Sequence, residues 1–182
     1  KQLFGYLFWR QDRVVPFYYS VNSALLSAAD FSKSYLTQYL CQRLAFEKKD
    51  QSLLSLDGIS IDRISALVED RDALWAREIL DAYLQSAGDP LDALRIALSA
   101  PRQSALATGM PAAVLIDDFH RLKELSAGGA PDTRLASLFE VPLSFRKTFH
   151  LITGNSPELG EMPVSGGLEQ ISMQPLGSES AS

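Results

Sequence analysis

The stretch Ala112-Ala113-Val114-Leu115-Ile116-Asp117-Asp118-Phe119-His120 decides how this chain is read. Val114, Leu115 and Ile116 form a continuous apolar run, which predicts a strand buried on both faces of a parallel sheet rather than a half-exposed one. Two consecutive carboxylates stand at its end. Open α/β sheets bind ligands at the carboxyl ends of their strands, so Asp117 and Asp118 are placed to hold charge beside a ligand. A plainer reading stays open: Asp117 ends the strand and Asp118 caps a helix over Phe119 to Leu125, because Asp is a favoured cap.

Working outward, Leu3, Phe4, Leu7 and Phe8 recur at helical spacing and predict the end of a helix packed on a sheet. Val14 to Val21 is rich in β-branched and aromatic residues and predicts a strand, with Pro16 placing its start near an edge or bulge. Phe31, Tyr35, Tyr39, Leu40, Leu44 and Phe46 predict an amphipathic helix over Asp30 to Glu47, capped by Asp30 or Ser27, and its aromatic stripe reads as core. Gln51 to Ser99 contains no convincing strand. It predicts helices near Ile59 to Val68, Asp70 to Ala87 and Pro90 to Ala100, the last capped by Asp89 with Pro90 in its first turn. We read 51–108 as a helical insertion packing over the sheet. Beyond the acids come a loop (Ser126 to Asp132), a short helix (Thr133 to Phe139) and a strand (Thr148 to Thr153) that turns at Gly154-Asn155-Ser156-Pro157. A second loop (Gly160 to Gly167) and a final strand (Leu168 to Leu176) complete a unit spanning 111–176.

The chain has 182 residues, of which 46% are hydrophobic, enough for one domain with a sizeable core. A net charge of −5 and a pI near 5.0 argue against a nucleic-acid-binding surface. The lysine pair Lys48-Lys49 is balanced by Glu47 and Asp50 and reads as a solvated helix end. A single cysteine, Cys41, excludes an internal disulfide and any multi-cysteine metal site, and reads as a core residue in a reducing, cytoplasmic setting. No apolar stretch reaches the roughly 18 to 20 residues that span a bilayer. Leu3 to Trp9 lacks the charged lead and cleavage site of a secretory signal. His120 and His150 have neither a Ser or Cys elbow nor zinc-ligand spacing around them. Beginning at Lys1 and stopping just after a strand-like segment, the chain reads as a piece of a longer protein.

A strand ending in paired acids, a short helix, then a strand ending in a small polar cluster resembles the middle and end of the ATPase core of AAA+ and STAND proteins. The resemblance implies an α/β fold, a three-layer sandwich around a mostly parallel sheet of the P-loop NTPase kind. It implies ATP as nucleotide and Mg²⁺ as its metal, with Asp117 in the Mg²⁺-binding Walker B place. Asp118 takes the place of the acid that orients or deprotonates the attacking water, where AAA+ proteins prefer Glu. Paired Asp is familiar in the STAND branch, in which turnover is slow and nucleotide acts as a switch. Leu151-Ile152-Thr153-Gly154-Asn155-Ser156 is similar to the sensor-1 strand. By that likeness Asn155 contacts the γ-phosphate or the attacking water, with Thr153 and Ser156 behind it; a plain strand-to-turn junction remains the alternative.

The run from Pro157 to the Pro175-Leu176 pair is similar to the archaeal-type ATPase group, although Ser165-Gly166-Gly167 stands where that group often carries an arginine. No Gly-x-x-x-x-Gly-Lys-Ser/Thr loop occurs in these residues, and the resemblance places it a few residues before Lys1. The expectation is an ATPase domain that binds and hydrolyses Mg²⁺·ATP as a motor or switch, with protein partners or self-association. Its rival is a nucleotide-independent interaction or assembly scaffold, motivated by the absent loop, the missing arginine and the helical segment Gln51 to Ala100.

Overall fold

Among the described residues, five α-helices surround three short strands, with four of the helices between the first strand and the second. The computed structural model describes residues 1–21, 27–55, 59–86, 88–125, 138 and 147–155. Helix α1 (Gln2–Arg10) leads into β1 (Val15–Ser20), followed by α2 (Ala28–Lys48), a 3₁₀ turn (Gln51–Ser55), α3 (Ile61–Asp70), α4 (Leu74–Gln85) and α5 (Pro90–Thr108). Then come β2 (Ala112–Asp117), a second 3₁₀ turn (Phe119–Glu124) and β3 (Thr148–Ile152). The strands are all parallel, in the order β1-β2-β3. Ser20 is level with Asp117, and Ile116 with Ile152, so the three carboxyl ends share one edge.

The three-layer sandwich on a mostly parallel P-loop-type sheet is not what forms. Among the described residues the structure is mostly helical, with five α-helices and only this small sheet. The physical reason lies in where the apolar surface goes. Helix α2 is buried nearly all round, through Phe31, Tyr35, Leu36, Tyr39, Leu40, Leu44 and Phe46, so it meets helices as well as strands. One side packs on β1, where Phe17 meets Tyr35 and Tyr39 at ring centroid distances of 5.0 and 5.2 Å. The other side packs on α5 and α4, reaching Tyr83 through Ser32 and Trp75 through Tyr39. The short loop, the short helix Thr133 to Phe139 apart from Leu138, the loop Gly160 to Gly167 and the strand Leu168 to Leu176 all lie outside the described residues.

Local chemistry sets the helix ends. Ser27 caps α2, its Oγ accepting from the Asp30 N–H at 3.0 Å. The helix stops at Lys49, which takes the left-handed conformation usually left to glycine (φ 52°). Its side chain offsets that strain: Nζ donates to the carbonyls of Phe8 (2.5 Å) and Gln11 (3.1 Å), pairs with Asp12 at 2.8 Å and lies 3.7 Å from the Phe46 ring centroid. The end of α2 is thereby fastened to the end of α1. Asp89 caps α5 through the N–H groups of Leu91 and Asp92, with Pro90 in the first turn. Helix α5 continues past Ala100, where the sequence reading ended it, through Pro101 to Thr108. An internal proline costs roughly 3 kcal/mol; burial of Pro101, Ser104 and Ala105 offsets it.

Gln42 on α2 controls the outer edge of β1. Its Oε1 accepts from the Tyr18 N–H and its Nε2 donates to the Tyr18 carbonyl, both at 2.8 Å. A side-chain amide thus stands in for a strand neighbour, and that stretch of edge is closed to further pairing.

Candidate functional site

The alternation of β1 sends Phe17 and Tyr19 into the aromatic core under α2, which leaves Tyr18 on the opposite face. There its ring approaches Phe4 of α1 at 6.4 Å, and its hydroxyl donates to Asp117 Oδ2 at 3.0 Å. From the other side of β2, Thr153 donates through Oγ1 to Asp117 Oδ1. The Asp118 N–H donates to the same oxygen at 3.0 Å. Asp117 is therefore held by donors from three successive segments of the sheet edge.

The electrostatics follow from those donors. The Thr153 hydroxyl, aided by the Tyr18 hydroxyl and the Asp118 N–H, holds the Asp117 carboxyl below the usual carboxylate range, although partial burial works against them. Asp117 stays ionised at neutral pH. Tyr18 moves the other way: burial first, then the bond to Asp117 and its charge, push the phenol above its ordinary value of 10.0. It stays a donor.

Asp118 does not do what the plainer reading assigned to it. It precedes the 3₁₀ turn, yet its side chain makes no capping bond, and its backbone is left-handed (φ 56°, ψ 33°). Asp tolerates that region better than most residues, at a cost of roughly 1 kcal/mol. Among the described residues its half-buried carboxylate accepts no hydrogen bond. The turn it begins is pinned by buried Phe119, whose N–H donates to the Thr153 carbonyl at 3.0 Å.

Thr153 itself is fixed by backbone pairing with Ile116 (2.9 Å), so strand-like contact continues one residue past β3. Asn155 is exposed, and its N–H donates to His120 Nδ1 at 3.3 Å. The structure thus brings Asp117, Asp118 and Thr153 together and places Asn155 on the same side through His120. Ser156 lies outside the described residues. Sequence reasoning missed Tyr18 and this use of His120. Period-two alternation could have flagged Tyr18 as the one aromatic of its trio facing away from α2, but pairing it with Asp117 required the strand register.

No described cluster of three or more His, Cys, Asp or Glu side chains could hold a metal ion. A cation at this edge would rely on Asp117 and Asp118, with its other ligands from water or a bound phosphate chain. Three donors already occupy Asp117, whose two oxygens offer about four lone-pair directions. That arrangement suits Mg²⁺, which keeps several waters and is commonly held by one or two carboxylates plus phosphate oxygens.

Comparison with known protein families, curated proteins and solved structures finds no match to this chain. Among the described residues, no helix is long and apolar enough to cross a membrane. A separate open hollow of about 650 Å³ is lined by Glu47, Lys48, Arg71 and Trp75 among others, at the C-terminal end of α2, and includes none of the candidate residues above.

Proposed function

We propose that the carboxyl edge of the sheet binds ATP with Mg²⁺ and hydrolyses it, so that this region acts as a nucleotide-dependent motor or switch. The observation that carries the reading is the triple hydrogen bonding of Asp117, which keeps a carboxylate ionised and fixed at a ligand-binding edge. Asp117 would hold Mg²⁺, whose contribution when bound is to neutralise charge on the phosphates. Asp118, with its carboxylate unengaged among the described residues, orients the attacking water or takes its proton. Thr153 positions Asp117, and Asn155 faces the terminal phosphate, with Ser156 behind it. A reducing, cytoplasmic compartment suits the buried thiol of Cys41.

The test uses the longest reading frame that carries these residues. Asp118→Asn keeps a residue that tolerates the left-handed backbone but removes the acid. It is expected to slow ATP hydrolysis about a hundredfold or more while leaving ATP bound. Unchanged turnover would remove Asp118 from its role.

A second reading, a nucleotide-independent assembly scaffold, is favoured by one specific pair of facts. These residues contain no Gly-x-x-x-x-Gly-Lys-Ser/Thr loop, and α1 exposes Leu3, Tyr6 and Trp9 at three-residue spacing along one side. Absence of Mg²⁺·ATP binding by the same protein would favour it.

A further inference from the structure

Asp118 and Asn155 stand on separate segments of the sheet edge, yet one turn fixes them to each other. The Asp118 carbonyl accepts from the Arg121 N–H at 3.0 Å, which closes a turn around Phe119 and His120. Phe119, Leu122 and Leu125 are buried, so this turn is anchored in the core. From it two bonds reach the chain beyond β3. The Phe119 N–H donates to the Thr153 carbonyl at 3.0 Å, and His120 Nδ1 accepts from the Asn155 N–H at 3.3 Å. Thr153 is also paired with Ile116, whereas among the described residues Asn155 makes no other hydrogen bond. The imidazole, whose neutral form has one bare nitrogen able to accept, is therefore what ties Asn155 to the turn that Asp118 begins.

We propose that His120 is a positioning residue for ATP hydrolysis: through Nδ1 it holds the Asn155 backbone in fixed register with Asp118. The inference rests on the Mg²⁺·ATP reading of the same edge and deepens it, since that reading puts Asp118 on the attacking water and Asn155 on the terminal phosphate. In hydrolysis the water oxygen bonds to the terminal phosphorus as the bond to ADP breaks, and the water proton passes toward Asp118. The groups that hold those two reactants must keep one relative placement, because a misplacement of about 1 Å slows such a step severely. Binding of the nucleotide as a whole draws on other contacts. His120 therefore acts on kcat far more than on KM.

His120→Phe keeps a ring and removes the acceptor, whereas His120→Asn carries a carbonyl oxygen on the same γ carbon that bears Nδ1 and can accept again. His120→Ala repeats the deletion should urea unfolding show that the phenyl ring disturbs the fold. The measurement is steady-state hydrolysis of Mg²⁺·ATP in the longest reading frame, for the unchanged protein, these variants, Asp118→Asn, Asn155→Ala and the combined His120→Phe, Asn155→Ala protein. His120→Phe should lower kcat about fivefold, the equivalent of one ordinary hydrogen bond, and leave KM nearly unmoved. His120→Asn should recover most of that loss. On the Asn155→Ala background His120→Phe should add nothing, because the side chain through which it acts is gone. A histidine with a merely structural role would multiply its effect onto that of Asn155→Ala, or shift unfolding with kcat intact. Either result, with Asp118→Asn still slow, would overturn the role of His120 and leave the ATP reading standing. Absence of Mg²⁺·ATP hydrolysis in the unchanged protein, or hydrolysis indifferent to Asp118→Asn, would overturn the ATP reading and this inference with it.

Discussion

Arg43 and Asp117 bring opposite charges into opposite kinds of surroundings. Arg43 is 2% exposed inside the helical body, paired with Glu47 at 3.0 Å, close to Ser104 Oγ at 3.4 Å, and set 5.2 Å from the Trp75 ring centroid. Its charge is consumed internally, in joining α2 to α4 and α5. Asp117 is half-buried at the sheet edge and held by three donors among the described residues. The body uses polar groups to fix helices against one another, while the edge fixes its polar groups and leaves their charge available. Stability should therefore depend on the first region, and ligand chemistry on the second.

The largest effect should come from breaking the body. Phe17 is fully buried between Tyr35 and Tyr39, and Phe17→Ala is expected to cost about 3–5 kcal/mol in urea unfolding. Next, Arg43→Ala removes a fully buried side chain with its packing against Trp75 and should cost about 3 kcal/mol, while Arg43→Met, which keeps the packing, should cost roughly half as much or less. Equal losses in the two variants would mean that pairing, not packing, is what Arg43 supplies.

A third prediction concerns His150 on β3, whose Nδ1 is buried with no partner among the described residues and whose burial lowers its pKa from 6.5 to about 4. The folded state holds this imidazole neutral while the unfolded chain protonates it. Its contribution is thus fully present above about pH 6.5 and is lost as pH falls toward 4, up to about 3 kcal/mol in all. Urea midpoints across that window should fall for the unchanged protein and fall less for His150→Gln.

The smallest effect belongs to the edge. Asp118→Gly relieves the left-handed backbone and should leave stability unchanged or raise it by about 0.5 kcal/mol, whereas Asp118→Ala should lower it by about 1 kcal/mol. A clear loss on Asp118→Gly would show that the Asp118 side chain supports the fold, against the division drawn between body and edge.

The short-range features were legible in the sequence because they depend on neighbours a few residues apart. The β2 strand over Ala112–Asp117, the Ser27 cap of α2 and the Asp89-Pro90 start of α5 all arise from such local chemistry. Among the described residues the order of elements was legible too, but the layering was not. The sandwich was inferred from the order of strands around Asp117, and order does not say how much apolar surface each helix buries on other helices. Continuation of α5 through Pro101 shows the same limit, since local propensity ends the helix and packing of Ser104 and Ala105 carries it on. At the site, Asp117, Asp118 and Thr153 could be named because each stands at a strand end. Tyr18 could not, because its bond to Asp117 spans 99 positions of sequence and depends on the β1-β2 register.

The most direct test of the central claim is calorimetric titration of ATP, with and without Mg²⁺, into the longest reading-frame product and its Asp117→Asn form. The account predicts Mg²⁺-dependent binding by the first and a loss of at least about tenfold in the second. Absence of Mg²⁺-dependent ATP binding, or equal binding by Asp117→Asn, would contradict it.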